Sequence, residues 1–268
     1  MTRLFKAFFF KIRKDLTFRI TLIIGAVFAV FTCLLFLIPD ESGVSGCTGQ
    51  NMLLNTLSPI TNFGIAIPVN LVSFTCLEFT QGTIRNKIIA GNSKFKIFAS
   101  LFLTGIFFVL ALVFVYAGIC TIFGSIIGGF NLEKPATVGL IAVARVTVPF
   151  IIQTIIIYIC MFIFLTALGI FFATLFRNIG PCIPIMISFV FLTFLLVFFS
   201  KLYAGDNETL ETVLKIFVPT YGTMGASYQG GEAYYDAGTF FACVGCNLVY
   251  TALLFTGGAL LFTKRDVK

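Results

Sequence analysis

EFTQGTIRNKIIAGNSKFKIFAS, residues 78–100, is a short, polar, basic interruption between two long apolar runs. Gly82 and Thr83 offer a flexible joint and a capping hydroxyl. The next seven or so residues suffice for about two helical turns. Ile84 and Ile88 fall one turn apart with Ile89 beside them, an apolar face able to dock on a bundle. Arg85 and Lys87 fall off that face. Gly91 suits a left-handed helix stop, and Asn92 or Ser93 can cap the helix that follows. Glu78, just ahead of the short helix, suits its N-terminal dipole or an ion pair with Arg85. The expected unit is span, joint, short amphipathic helix, glycine stop, capped span. On residues alone, an ordinary loop carrying anchoring charges remains the alternative.

Composition explains the flanking runs. Of 268 residues, 59% are hydrophobic and 11% charged, against about 25% charged in a soluble domain. The mean hydropathy is +1.04. One globular core cannot hide that much apolar surface, so lipid must cover part of it. Six runs are long enough to cross a hydrocarbon layer of about 30 Å: 18–38, 57–77, 97–123, 148–176, 181–200 and 240–262. The second holds Pro59, Asn62, Pro68 and Asn70, so it should be kinked and face protein. The fourth has an alternative start near Gly139, which would carry Arg145 into the bilayer. The fold class expected is an all-α integral membrane protein forming one domain over 1–268.

Six spans place both termini on one side, and basic residues say which. Arg3, Lys6, Lys11, Arg13, Lys14, Arg19, Arg85, Lys87, Lys94, Lys96, Arg177, Lys264, Arg265 and Lys268 fall on the side of the termini, fourteen of the 18. Lys134, Arg145, Lys201 and Lys215 fall on the other. Acidic residues show the reverse bias, with only Asp15, Glu78 and Asp266 beside the termini. Both termini are therefore expected in the cytoplasm. The net charge of +7 follows this pattern and gives no nucleic-acid signal. The loops 39–56, 124–147 and 201–239 then lie outside, and the segment at 78–96 and the turn at 177–180 inside.

Residues 1–17 repeat Leu4, Phe8, Ile12 and Leu16 at helical spacing, with Lys6, Lys11, Arg13 and Lys14 elsewhere around the helix. That pattern predicts an amphipathic helix in the membrane interface. It serves as an anchor or as an elbow touching a cytosolic partner, and the two roles are compatible. Eight Cys form no framework, and Cys243 with Cys246 lie inside a predicted span, where they read as small packing residues. The chain holds no His, which removes zinc or haem ligation by imidazole.

The segment at 78–100 resembles the first intracellular loop of ABC-2-type transporter permeases, the membrane subunits of bacterial ATP-driven exporters. Glu78, Gly82, Thr83, Ile84, Arg85, Lys87, Ile88 and Gly91 occupy that family's pattern of a Glu, then G-T-[IV]-R-x-K-[LI], then Gly. The ending LLFTKRDVK is similar too, and size and layout are similar to bacteriocin-immunity and peptide-antibiotic export permeases. The resemblance implies that residues 83–90 form a coupling helix seated on a separate ATPase, with Arg85 and Lys87 as contacts. It also implies a second permease chain, identical or homologous, and export of an amphipathic peptide, antibiotic or lipid-like molecule across the bacterial cell membrane. No G-x-x-x-x-G-K-[ST] occurs in the chain, so ATP and its Mg would belong to the partner. The chain itself is expected to be no enzyme and to hold no cofactor or metal.

Within spans, Asn62, Asn70, Gln153 and Thr154 are candidates for lining the path or bridging helices. None of the six runs contains Asp or Glu, which disfavours an ion path or an intramembrane enzyme. Leu210, Val213, Leu214 and Phe217, ahead of Pro219 and a Tyr- and Gly-rich stretch, suggest an interfacial helix with a tyrosine belt or, by the resemblance, re-entrant helices. The alternative function is a membrane immunity or receptor protein that binds a toxin without pumping.

Overall fold

The computed structural model describes residues 2–14, 16–38, 46–57, 66–132, 136–138, 141–143, 145–204, 213, 227–229 and 232–264. Among these the chain is nearly all helical. Helix α1 is Thr2–Lys14, α2 Leu16–Leu37, α3 Gly49–Leu57, α4 Ala66–Thr80, α5 Thr83–Ile89 and α6 Lys94–Gly128. They are followed by α7 Val148–Phe176, α8 Ile179–Ala204 and α9 Ala237–Lys264. Four helical stretches are long and apolar enough to cross a membrane: Phe18–Leu37, Lys94–Gly128, Val148–Phe176 and Ala237–Lys264. Their outward faces carry bare aliphatic and aromatic side chains such as Ile23, Val27, Leu103, Ile122, Phe241 and Leu253. Such faces suit lipid, and the chain is a multi-pass membrane protein by this criterion.

The bundle is built around α7, which packs against α4, α6, α8 and α9. Its buried side includes Phe150, Tyr158, Phe162, Phe164 and Ile170. Thr147 caps its first turn by accepting from the Phe150 amide at 3.4 Å, which starts the helix after Arg145 rather than near Gly139. Arg177 ends it in a left-handed conformation, φ 56°, and α8 starts two residues later. Aromatic side chains fill the seam between α6 and α9, where Phe98, Phe102 and Phe95 meet Phe255 and Phe262. Gly258 makes room for this contact, since a Cβ there would come within 2.8 Å of the Phe98 ring.

Of the run 57–77, residues 66–77 lie in α4, and residues 58–65 lie outside the described residues. Two expectations need correction. First, residues 49–56, expected in an outer loop, belong to α3, a helix buried along most of its length. It packs on the far end of α6 because that end is stripped of side chains. A Cβ on Gly128 would strike the Cys47 carbonyl, and one on Gly124 would lie 3.0 Å from the Thr48 carbonyl oxygen. Met52 and Leu54 then pack inward, and Cys47, expected in a polar loop, is fully buried. The buried polar residues of α3 are partly satisfied by their own backbone: Asn51 donates to the Gly46 carbonyl and Thr56 to the Met52 carbonyl, both at 2.5 Å.

Second, the chain is not purely helical. Strand β1 (Ala136–Val138) pairs antiparallel with β2 (Ile141–Val143). Strand β3 (Arg145–Val146) runs parallel to β5 (Glu232–Tyr234), which pairs antiparallel with β4 (Ser227–Gln229). This small sheet ties the entry of α7 to the entry of α9, and Tyr235 stacks on Phe150 at 5.2 Å between ring centroids. The re-entrant helices suggested for 201–239 fall almost wholly outside the described residues.

Candidate functional site

At the end of the bundle opposite α3, α5 forms as a separate helix between two left-handed glycines, Gly82 (φ 67°) and Gly91 (φ 82°). Nothing lies within 4 Å of where a Cβ would sit at either one, so backbone conformation and not crowding calls for glycine there. Gly91 donates to the Ile88 carbonyl at 2.9 Å. Ser93 then caps α6 by accepting from the Lys96 amide at 3.4 Å. Lys94 ties the same corner to α9 by donating to the Thr263 carbonyl at 3.0 Å.

Glu78 is the centre of this end. Its carboxylate is fully buried and receives three side chains from two other helices. Lys11 of α1 lies 2.6 Å from Oε1, Lys87 of α5 3.2 Å from Oε2, and the Thr83 hydroxyl donates to Oε2 at 2.6 Å. Thr83 also contacts the Glu78 carbonyl oxygen at 2.8 Å. Lys11 reaches Gln81 Oε1 at 3.4 Å. Behind Lys87 stands Phe8 of α1, whose ring centroid is 3.1 Å from Nζ, a cation–π contact. Phe8 and Ile12 are buried, and α1 packs on α6, where the Phe9 and Phe107 rings meet at 4.7 Å between centroids. One carboxylate thus fastens α1, α4 and α5 together.

Burial alone would raise the Glu78 pKa; the hydrogen bond and charge of Lys11, the charge of Lys87 and the Thr83 hydroxyl outweigh it, so the group sits below the usual glutamate value. Burial pushes the Lys87 ammonium below the usual lysine value, with the Glu78 charge opposing the shift. Glu78 is thus held in its ionised form, and its charge favours the ammonium form of Lys87. Two cations on one anion leave the hub itself with a net positive charge.

The geometry revises several residue roles. Glu78 pairs with Lys11 and Lys87, not with Arg85. Thr83 does not cap α5; Gly82 takes the cap position without a side-chain bond, and the hydroxyl serves Glu78 instead. Ile84 is buried and Ile88 packs against the core as expected, but Ile89 is 73% exposed. Lys87 turns inward, so the outward face of α5 consists of Arg85, Asn86, Ile89 and Ala90. Charge pattern alone could not separate Arg85 from Lys87, and Lys11 and Phe8 gave no sign of their role because their partners lie far along the chain.

The polar candidates inside the bundle do not gather. Asn62 lies outside the described residues. Asn70 accepts from Thr21 at 3.1 Å, joining α4 to α2. Gln153 is half-buried on α7. Thr154 is buried and donates to the Phe150 carbonyl of its own helix at 2.8 Å. A bridge not foreseen joins Thr32 and Tyr116, whose hydroxyls lie 3.0 Å apart between α2 and α6. Cys243 and Cys246 form no disulfide and lie buried and half-buried on α9.

A helical multi-pass membrane protein, with a short surface helix clasped to its bundle by one buried carboxylate, is the class these features define. The chain belongs to the family described as protein of unknown function (DUF2705), whose pattern matches residues 27–268. The match takes in Glu78, Thr83 and Lys87, while Lys11 precedes it. No curated protein matches the chain, and no solved structure does.

Proposed function

We propose that the chain is a permease half of an ATP-driven exporter in a bacterial cell membrane, moved by a separate ATPase through α5. The observation that carries this reading is the mounting of α5. It is a stiff helix between two left-handed glycines, pinned to α4 and α1 through Glu78, with Arg85, Asn86 and Ile89 turned away from the bundle. A force applied to that face is delivered to three helices at once. The resemblance of residues 78–91 to the coupling loop of ABC-2-type permeases points the same way, and the missing phosphate-binding loop requires a partner for ATP.

In this reading six segments cross the bilayer, namely α2, α4, α6, α7, α8 and α9, with both termini cytoplasmic by the distribution of basic residues. The described part of this second segment, the 15 residues of α4, rises about 22 Å. A second copy or a homologous chain completes the path. Apart from Glu78 at the inner end of α4, these segments carry no carboxylate, which favours an amphipathic peptide, antibiotic or lipid-like cargo over an ion. ATP binding on the partner shifts the bundle between inward and outward states by differential contact with α5.

The test is co-purification. A tagged chain taken from its native membrane should retain a soluble ATPase, and Arg85→Glu with Ile89→Asp should lose it while keeping the thermal stability of the parent. Retention of the ATPase by that variant, or ATP hydrolysis by the chain alone, would defeat the proposal.

A further inference from the structure

Between α1 and α4, beside the hub, lies a cleft of about 460 Å³ bordered by Phe10, Lys11, Lys14, Phe74, Leu77 and Gln81, with Glu78 at its back. Its two walls differ. Phe10, Phe74 and Leu77 are apolar; Phe10 is exposed, Leu77 half-buried and Phe74 buried at the base of the wall. Lys11 and Lys14 stand at the polar end. Lys14 is exposed, and its ammonium lies 4.4 Å from the Phe10 ring centroid. Lys11 is 36% exposed at its side chain, ion-paired to Glu78 and within 3.4 Å of Gln81 Oε1. Glu78 does not repel an anion here, because Lys11, Lys87 and Thr83 already surround its carboxylate. Lys11 and Lys14 against Glu78 leave the lining of the cleft with a formal charge of +1. An anionic group attached to an apolar tail matches both walls, and an amphipathic helix such as α1 holds the site at headgroup depth.

We propose that this cleft binds an anionic phospholipid, its phosphate on Lys11 and Lys14 and an acyl chain along Phe10 and Leu77. The site rests on the membrane location of the chain and not on what it transports. The sequence has no Trp, so Phe10→Trp places a single fluorophore at the cleft mouth, where Phe10 is 58% exposed and the larger ring is accommodated. Phe95→Trp gives the reference. Phe95 is also exposed, between Lys94 and Lys96 on α6, and reports the diffuse attraction of any basic interface for anionic lipid.

Each full-length variant is reconstituted in phosphatidylcholine vesicles containing brominated phosphatidylglycerol or brominated phosphatidylcholine, and quenching of the indole fluorescence is read. In the Phe10→Trp variant the brominated anionic lipid should be enriched around the indole by on the order of fivefold per contacting lysine, clearly beyond its enrichment in the Phe95→Trp variant. Lys14→Gln added to Phe10→Trp, a change at an exposed side chain that leaves the Glu78 hub intact, should remove about fivefold of it. Equal enrichment in the two indole variants, or enrichment at the cleft mouth that survives Lys14→Gln, overturns the proposal. Relief of quenching by inorganic phosphate in the buffer would assign the cleft to a soluble anion and overturn the lipid assignment as well.

Discussion

Replacing Glu78 with Gln removes one negative charge while keeping the size and one acceptor of the side chain. Two lysines then lose their counter-ion, and they differ in what happens next. The Lys11 side chain is 36% exposed, so water takes over much of its solvation and its share of the loss is about 0–1 kcal/mol. The Lys87 side chain is 19% exposed, and it lies against the Phe8 ring. Orphaning a fully buried charge costs about 3–5 kcal/mol; the residual exposure, the ring and the remaining amide oxygen reduce this. A net loss of about 2 kcal/mol is expected, which for a chain of this size lowers the unfolding midpoint by about 4–8 °C. The assay is thermal unfolding of the purified protein in detergent, followed by size exclusion. The decisive comparison is Glu78→Gln with Lys87→Met, which removes the orphaned charge and leaves an apolar side chain against Phe8. If the charge is the cause, the double variant regains at least half of the lost stability. A double variant no more stable than Glu78→Gln alone refutes the reasoning.

Gly128→Val should push α3 off α6, lower the unfolding midpoint by several degrees, and make the buried Cys47 reactive toward a membrane-impermeant maleimide, read by peptide mass spectrometry. Gly118→Ala is the contrast: nothing lies within 4 Å of its Cβ position, and the helix gains up to about 1 kcal/mol, seen as an unchanged or raised midpoint. Gly258→Leu should separate α9 from the Phe98 ring and destabilise the α6–α9 seam in the same measurement. The stability difference between wild type and Glu78→Gln should depend on pH with a defined sign. Because the Glu78 pKa is lowered on folding, its contribution is complete above the ordinary glutamate value and is lost as pH falls through the lower folded value. The difference in midpoint should hold from pH 7 down to about 5 and shrink only below about pH 4.

The parts of this fold that were legible in the sequence are those where local pattern and tertiary environment agree. The run 148–176 is apolar throughout, is preceded by a capping Thr147, and forms a helix over the same residues. Gly82 and Gly91 bracket a short polar helix, and both adopt the backbone that only glycine takes without cost. Helix α3 escaped because its Gln50, Asn51 and Asn55 read as loop, while the reason for burying them sits on another helix. Gly124 and Gly128, four residues apart at the end of α6, were the available signal of close helix approach. The strands escaped because each has only two or three residues, too few for an alternation to register.

At the hub the sequence offered Glu78 and several cations without saying which would meet. Arg85 and Lys87 are equally basic and two residues apart, so they point to different sides of α5. Only the seating of α1 on the bundle, with Phe8 and Ile12 buried, decides that Lys87 is the inner one and that Lys11 arrives to share the same carboxylate. A pairing across 67 residues, 11 to 78, has no local signature.

Fastening three helices through one carboxylate removes their independence. In the proposed arrangement α1 rests in the membrane interface and α5 meets a soluble partner, so the two report on different surroundings while joined through Glu78. Thermodynamic reciprocity then applies. If seating a partner on α5 strains the clasp, thickening, thinning or recharging the bilayer beneath α1 changes the affinity of that partner by the same factor. The bilayer would then act as an effector of the assembly in its own right.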